Sequence, residues 1–328
     1  MASAWRRNRH AGRKDQTGNG KLIKGLSLVD GRNVCGERRL RPLLIKKILL
    51  PIDFPTTSVR VIQQAVTLAE HFQAEIVTLH VAPPDSQAGR VPNDDRDLAN
   101  WNMVAEILGE AEQKFAPSRR TKLETVAVPG VVRVDPARAI LQAAQAENAD
   151  LIMMPSTGYT FDQFLLGSAT AKVLPWKECP VWTGAYREEP SAQEFSIHNV
   201  LCAVDLGPRS QEAASWAMQL AAEFGARLTL SHVTESMAIL APGGRWANPE
   251  WQQDLVRGAS RRLTELQKNL PLKADLLVGS GDVPQVLSEF AIKTKADLLV
   301  LDCYPYSGNL RIHGYGIIRT VSVPVLSV

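Results

Sequence analysis

The chain lacks most of the residue patterns that carry enzyme chemistry. Its four cysteines, Cys35, Cys179, Cys202 and Cys303, form no CxxC pair and have no histidine at zinc-finger spacing. That excludes a sequence-encoded zinc finger and a thioredoxin-type redox centre. Cys202 and Cys303 sit in apolar runs, where a small buried thiol is expected. Such usage suits a reducing compartment, and the expected location is cytoplasmic. There is no GxSxG elbow, no HExxH, no GxxxxGK[ST] and no GxGxxG, so no catalytic or metal-binding set is expected from motifs. No apolar run approaches the ~20 residues of a membrane span, and no membrane partner is expected. The basic N-terminus is not followed by an apolar stretch, which excludes a secretory signal.

Charge of one sign is also scarce, except at one end. The net charge of the whole chain is +3. Residues 1–41 hold eleven Lys and Arg against Asp15, Asp30 and Glu37, a local excess of +8 that leaves −5 for the rest. Residues 1–42 therefore read as a basic, disordered tail. The remaining body is mildly acidic, and nucleic acid is not an expected partner for it.

What is present is a repeated alternation of strand and helix patterns in a chain of 328 residues, 45% of them hydrophobic, which is enough for two cores. An apolar run over Ile45–Ile52 predicts a central parallel strand ending at Asp53. Val59, Ile62, Ala65, Val66, Ala69 and Phe72 recur at helical spacing after Ser58. Strands are expected at Glu75–Val81, Lys122–Val128, Leu151–Met154 and Pro180–Thr183. Further helices are expected over 98–115, Pro136–Ala146 and Ala169–Leu174. Such alternation predicts a parallel sheet covered by helices on both faces, with ligands beyond the carboxyl ends of the strands where strand order reverses.

Shifting the chain by 152 residues aligns Leu49–Val81 with Leu201–Val233 without a gap, matching Asp53 to Asp205, Ser58 to Ser210, Phe72 to Phe224 and His80 to His232. Further on the shift shrinks: Ala149-Asp150-Leu151 matches Ala296-Asp297-Leu298, and Pro180-Val181 matches Pro324-Val325. The chain is one fold duplicated. The expected division is a first domain over 43–185, a linker over 186–196 and a second domain over 197–328.

The stretch between Asp150 and Ser168 is the candidate site. A buried strand leads through Ser156-Thr157-Gly158 to Gly167-Ser168 at a helix start, an arrangement that offers backbone N–H groups to a phosphate. Ser168 reads equally as a phosphate ligand, a modification site or a helix cap. Asp53 either contacts a nucleotide or caps the turn into the next helix, and its recurrence as Asp205 supports the second role at least in part. His80 and His232 read as satisfied core histidines, and Trp182 as an interface or packing residue. In the second copy Asp302 to Gly308 replaces the glycine loop. Tyr304, Tyr306 and Tyr315 are expected to fill the hollow there.

The segments Lys47–Asp53, Ala74–Val81, Ala149–Met154, Leu165-Leu-Gly-Ser168 and Cys179-Pro-Val181, answered by Val200–Asp205, Leu228–Val233 and Pro324–Val328, resemble the universal stress protein family of the UspA type, in its tandem two-domain form. The resemblance implies two Rossmann-like α/β domains of the adenine nucleotide alpha hydrolase-like class, each a five-stranded parallel sheet of order 3-2-1-4-5. It implies a non-enzymatic stress-response protein with ATP, accompanied by Mg, as a regulatory ligand of the first domain; the divergent loop of the second copy predicts that it is structural, with no ligand expected, or binds its ligand differently. By position it places Ile52, Asp53, Val81 and Met154 around ribose and base, and Gly158, Gly167, Ser168 and Ala169 around the phosphates. It also implies an internal pseudo-dimer in which Pro180–Gly184 meets Pro324–Val328, and an unidentified protein partner. The chain departs from the family phosphate motif: Pro155 stands where the first glycine belongs, and eight residues rather than nine separate Gly158 from Gly167. Two alternatives follow, a scaffold with no nucleotide in either domain and a weak ATPase in which Asp162 is the only acid inside the loop.

Overall fold

A computed structural model describes residues 42–52, 58–81, 122–126, 135–156, 168–176, 178–185, 195–235, 249–302 and 309–328. The expected helix over 98–115 and the residues Asp53, Gly158, Asp162 and Gly167 lie outside them.

The described chain runs β1 (Lys47–Pro51), α1 (Ser58–Phe72), β2 (Glu75–Val81), β3 (Lys122–Val126), α2 (Pro136–Glu147), β4 (Leu151–Met154), α3 (Ser168–Val173) and β5 (Val181–Thr183). It continues with β6 (Asn199–Ala203), α4 (Ser210–Phe224), β7 (Arg227–Glu235), α5 (Pro249–Lys268), β8 (Asp275–Gly281), α6 (Val283–Thr294), β9 (Leu298–Leu301), α7 (Asn309–Thr320) and β10 (Val325–Ser327). All ten strands form one sheet of order β3-β2-β1-β4-β5-β10-β9-β6-β7-β8. Each half reads 3-2-1-4-5, and neighbours within a half are parallel.

Strand residues alternate between two apolar layers because successive side chains leave opposite faces. Ile48, Leu50, Leu151, Met153, Val200 and Cys202 pack with α1, α4 and α5 on one face. Leu49, Ile152, Met154, Leu201 and Leu299 pack with α2, α3, α6 and α7 on the other. Both faces are therefore covered, which explains why these strands read as continuous apolar runs rather than as alternation. In α1 the buried positions Val61, Ile62, Ala65, Leu68 and Ala69 form the one stripe its spacing requires.

The copies share devices as well as order. Asp135 caps α2 by accepting from the Ala137 N–H at 3.3 Å, and Asp282 caps α6 by accepting from the Gln285 N–H at 3.2 Å. A proline stands in the first turn of both helices, where its missing N–H costs nothing. The Asp150 carboxylate accepts the N–H groups of Lys46 and Lys47 at 2.8 and 3.0 Å. Asp297 does the same for His198 and Asn199, at 2.8 and 2.9 Å. Each aspartate thus ties the start of the fourth strand of its copy to the start of the first.

The halves join through their last strands, which are antiparallel, with Trp182 opposite Leu326. Thr183 Oγ1 donates to the Val325 carbonyl at 3.3 Å. The join also spans the helix layers. His71 stacks on Phe224 with ring centroids 4.1 Å apart, and Phe72 meets Phe224 edge-on at 5.9 Å. On the other face the Tyr315 hydroxyl donates to the Ala171 carbonyl of α3 at 2.6 Å. This corrects the expectation for Tyr315. It does not fill a hollow in its own copy but stands 44% exposed and reaches across to the first. Tyr304 and Tyr306 lie outside the described residues. Pairing β5 with β10 removes two sheet edges that would otherwise template aggregation.

Candidate functional site

In the first half the strand order reverses between β1 and β4, which are hydrogen-bonded neighbours in the register Ile48↔Leu151 and Leu49↔Ile152. Continuing that register puts Pro51 beside Met154, so both strands end at one crevice. β2 flanks it: the Ile52 N–H donates to the Leu79 carbonyl at 2.8 Å, and Val81 ends the strand two residues further on. Val81, Met154 and Ala169 belong to the same apolar layer, Met154 fully buried and the other two partly so. Three of the candidate residues, on β2, β4 and α3, thus lie in one layer on the same face of the sheet. The Ile52 side chain goes to the opposite layer, under α1, which leaves only its backbone to face the crevice.

The first turn of α3 is sewn to the end of β4. Thr170 Oγ1 donates to the Pro155 carbonyl at 3.1 Å, both groups buried. The Gly184 N–H donates to the Met154 carbonyl at 3.0 Å. Ser168 opens α3. Sequence reasoning passed over Thr170. A threonine on the inward side of a short helix, two residues after Gly167-Ser168, was the available signal.

The corresponding end of the second half is built differently. Asp302, 6% exposed, stands where Pro155 stands in the first copy, beside the β6 end that carries Val204 and Asp205. The nearby carboxylate and above all burial raise the Cys202 thiol far above its ordinary value. His232 Nδ1 lies 2.7 Å from the Val204 carbonyl, which can only accept, so Nδ1 carries the proton. Burial holds His232 below the ordinary histidine value despite that hydrogen bond, and Arg262 adds to the lowering. A guanidinium N–H of Arg262 donates to the Leu206 carbonyl. The loop leaving β6 is thus pinned from α5, and His232 is a satisfied, neutral, part-buried histidine. The His80 side chain is not among those described.

No group of three or more His, Cys, Asp or Glu able to hold a metal occurs among the described residues, and no described helix is long and apolar enough to cross a membrane.

The family model described as the universal stress protein family matches residues 44–183 and 196–310. The chain belongs to the universal stress protein family. A universal stress protein of Methanocaldococcus jannaschii is 32% identical over 146 residues, which cover 42% of this chain and 81% of that protein. Among solved structures, a functionally unknown protein from Pseudomonas aeruginosa superposes with a TM-score of 0.58 at 17% identity, covering 87% of this chain and 92% of that one. A universal stress protein from Archaeoglobus fulgidus gives 0.53 at 20% identity, covering 86% and 95%. At those identities the structural likeness establishes the fold, Rossmann-like α/β with a mostly parallel sheet, and nothing finer.

Proposed function

We propose that this universal stress protein is a non-enzymatic regulator whose first copy, residues 43–185, binds an adenine nucleotide, and whose second copy, 197–328, does not. The observation that carries the proposal is that Val81, Met154 and Ala169 belong to one apolar layer on the sheet whose strand order reverses between β1 and β4. An apolar, partly exposed wall there suits the face of a purine, and ligands of open α/β sheets sit at such points. ATP, with Mg on its phosphates, is the ligand the family motif favours. Asp53, Gly158, Gly167 and Ser168 are the residues proposed for ribose and phosphates, and when bound the nucleotide supplies charge and bulk that bias a partner surface.

The second copy argues against its own occupancy. At the position of Pro155 it has Asp302, 6% exposed, which puts a buried carboxylate at the end of β9, and a polyphosphate beside it would meet like charge.

One observation favours the scaffold reading instead. Pro155 is buried at the end of β4, and it has no N–H to offer a phosphate. Calorimetry with Mg·ATP on the full chain separates the two readings. Saturable heat in the micromolar-to-millimolar range, abolished by Gly167→Val, supports the nucleotide. Its absence leaves the paired scaffold. Steady loss of ATP that Asp162→Ala stops would make the protein a slow ATPase and overturn the non-enzymatic assignment.

A further inference from the structure

The first copy has a groove whose lining differs from the matching residues of the second. Between α2 and α3 lies a cavity of about 300 Å³, at the small end of the ~300–1,000 Å³ typical of ligand pockets. Leu141 and Trp176, both partly buried, form its apolar lining. Arg138 and Gln142 stand along the α2 side, and Lys172 stands on α3. No residue of the crevice formed by Val81, Met154 and Ala169 contributes to it.

Copy-to-copy comparison shows the difference. The shift of 147 residues that matches Ala149-Asp150-Leu151 with Ala296-Asp297-Leu298 pairs Leu141 with Ser288. The shift of 144 that matches Pro180 with Pro324 pairs Trp176 with Thr320 and Lys172 with Gly316. In the second copy Ser288 Oγ donates directly to the Thr320 carbonyl at 3.4 Å. Gly316 lies so close to Pro284 that a Cβ there would sit 3.1 Å from the proline ring. A side chain at that position would press on the proline ring, and a leucine in place of Ser288 cannot donate that hydrogen bond. The first copy instead lines the space between these helices with Leu141 and Trp176.

The charge changes sign as well. Arg138, Lys172 and Asp135 give the first groove +1, whereas the matching set of the second copy, Asp282 and Glu289 with Gln285 and Gly316, gives −2. Lys172 Nζ is held by Asp135 Oδ2 at 2.8 Å. The Arg138 guanidinium has no hydrogen bond or ion pair among the described residues, so its fork is available for bidentate contact with a carboxylate.

We propose that the α2–α3 groove is a second binding site, for a small amphipathic anion whose flat apolar body lies against Trp176 and Leu141 and whose carboxylate pairs with Arg138. The probe is 2-naphthoate, titrated calorimetrically into the full chain. The expected result is saturable binding that ATP does not displace. Arg138→Gln, which installs the second copy's residue at an exposed position, weakens it about tenfold or more, the scale of one lost charge-assisted contact. Trp176→Thr weakens it comparably, and the neutral 2-naphthamide binds the unaltered chain at least about tenfold less tightly. Trp176→Thr carries a risk to folding, whereas Arg138→Gln on the helix surface does not, so the second variant decides alone if the first fails. No saturation by ~10 mM, an affinity for the weakest ligands in the range of only a few kcal/mol, overturns the proposal. So does equal binding of acid and amide, indifference to Arg138→Gln, or displacement by ATP.

Discussion

Replacing Trp182 by phenylalanine tests how β5, the strand at the join, is held against α1. Trp182 lies on β5, 1% exposed, opposite Leu326 of β10. Its Nε1–H donates at 2.8 Å to Oε1 of Gln64, itself 1% exposed on α1, and Phe195 meets the indole edge-on at 5.9 Å. Phenylalanine keeps one ring but cannot donate. Removing one partner of a buried hydrogen bond costs about 1–3 kcal/mol, more than the bond contributes net. The void left by the smaller ring adds about 1–2 kcal/mol, a fraction of the ~3–5 for loss of the whole side chain. The total is about 3 kcal/mol. At ~2–4 °C per kcal/mol for a chain of this size, that is a fall in Tm of about 6–12 °C. Urea denaturation followed by far-UV circular dichroism measures it, and a double-mutant cycle with Gln64→Leu isolates the pair. The two substitutions together should cost less than their sum by about 1 kcal/mol or more. A cost below about 1 kcal/mol for Trp182→Phe, with strict additivity in the cycle, would refute the reasoning, because surface positions behave that way.

Three other outcomes are expected. Gly184→Ala brings a Cβ to 2.5 Å from Val61 Cγ2, and the overpacking should cost about 1–3 kcal/mol by thermal melting, partly recovered by Val61→Ala. Asp135→Ala removes a helix cap and should cost about 1 kcal/mol at neutral pH. The hydrogen bond from Lys172, more than the one from the Ala137 N–H, holds the Asp135 carboxyl below its ordinary value. That contribution is present above the ordinary carboxylate range and is lost as pH falls, so the variant and the parent should converge in stability in acid. Cys179, whose thiol burial pushes up to about 12, and the more deeply buried Cys202 should resist a thiol reagent at pH 8 in a chain carrying Cys35→Ser and Cys303→Ser, and both should react on unfolding. Reaction in the folded state would place one of them nearer the surface than described.

Much of the fold could be read in advance because pattern and packing agree. Strand β2 and helix α1 occupy the spans expected for them, Glu75–Val81 and Ser58–Phe72. Strand β1 was expected from Ile45 but pairs only from Lys47. Ile45 is buried by packing, and apolar character alone does not show where a ladder begins. The strand-to-strand ties of Asp150 and Asp297 were invisible beforehand, because a carboxylate bonding backbone about a hundred residues away leaves no local spacing. Tyr315 was misjudged for a related reason. The repeat gave its place within its own copy, whereas its partner, Ala171, belongs to the other. At the site, the common layer of Val81 and Met154 follows from strand order, but the turn of Ile52 to the opposite layer follows from the one-residue alternation of a strand and could have been counted. The groove between α2 and α3 leaves no mark in the periodicity of either helix. It emerges when Leu141, Trp176 and Lys172 are set against Ser288 on Thr320 and Gly316 beside Pro284.

The asymmetry between the copies is tested most directly by the stoichiometry of nucleotide binding. Titration of Mg·ATP into the full chain should saturate at one nucleotide per chain, and Gly167→Val should take that number to zero. Saturation at two per chain, or no saturable binding at all, would contradict it.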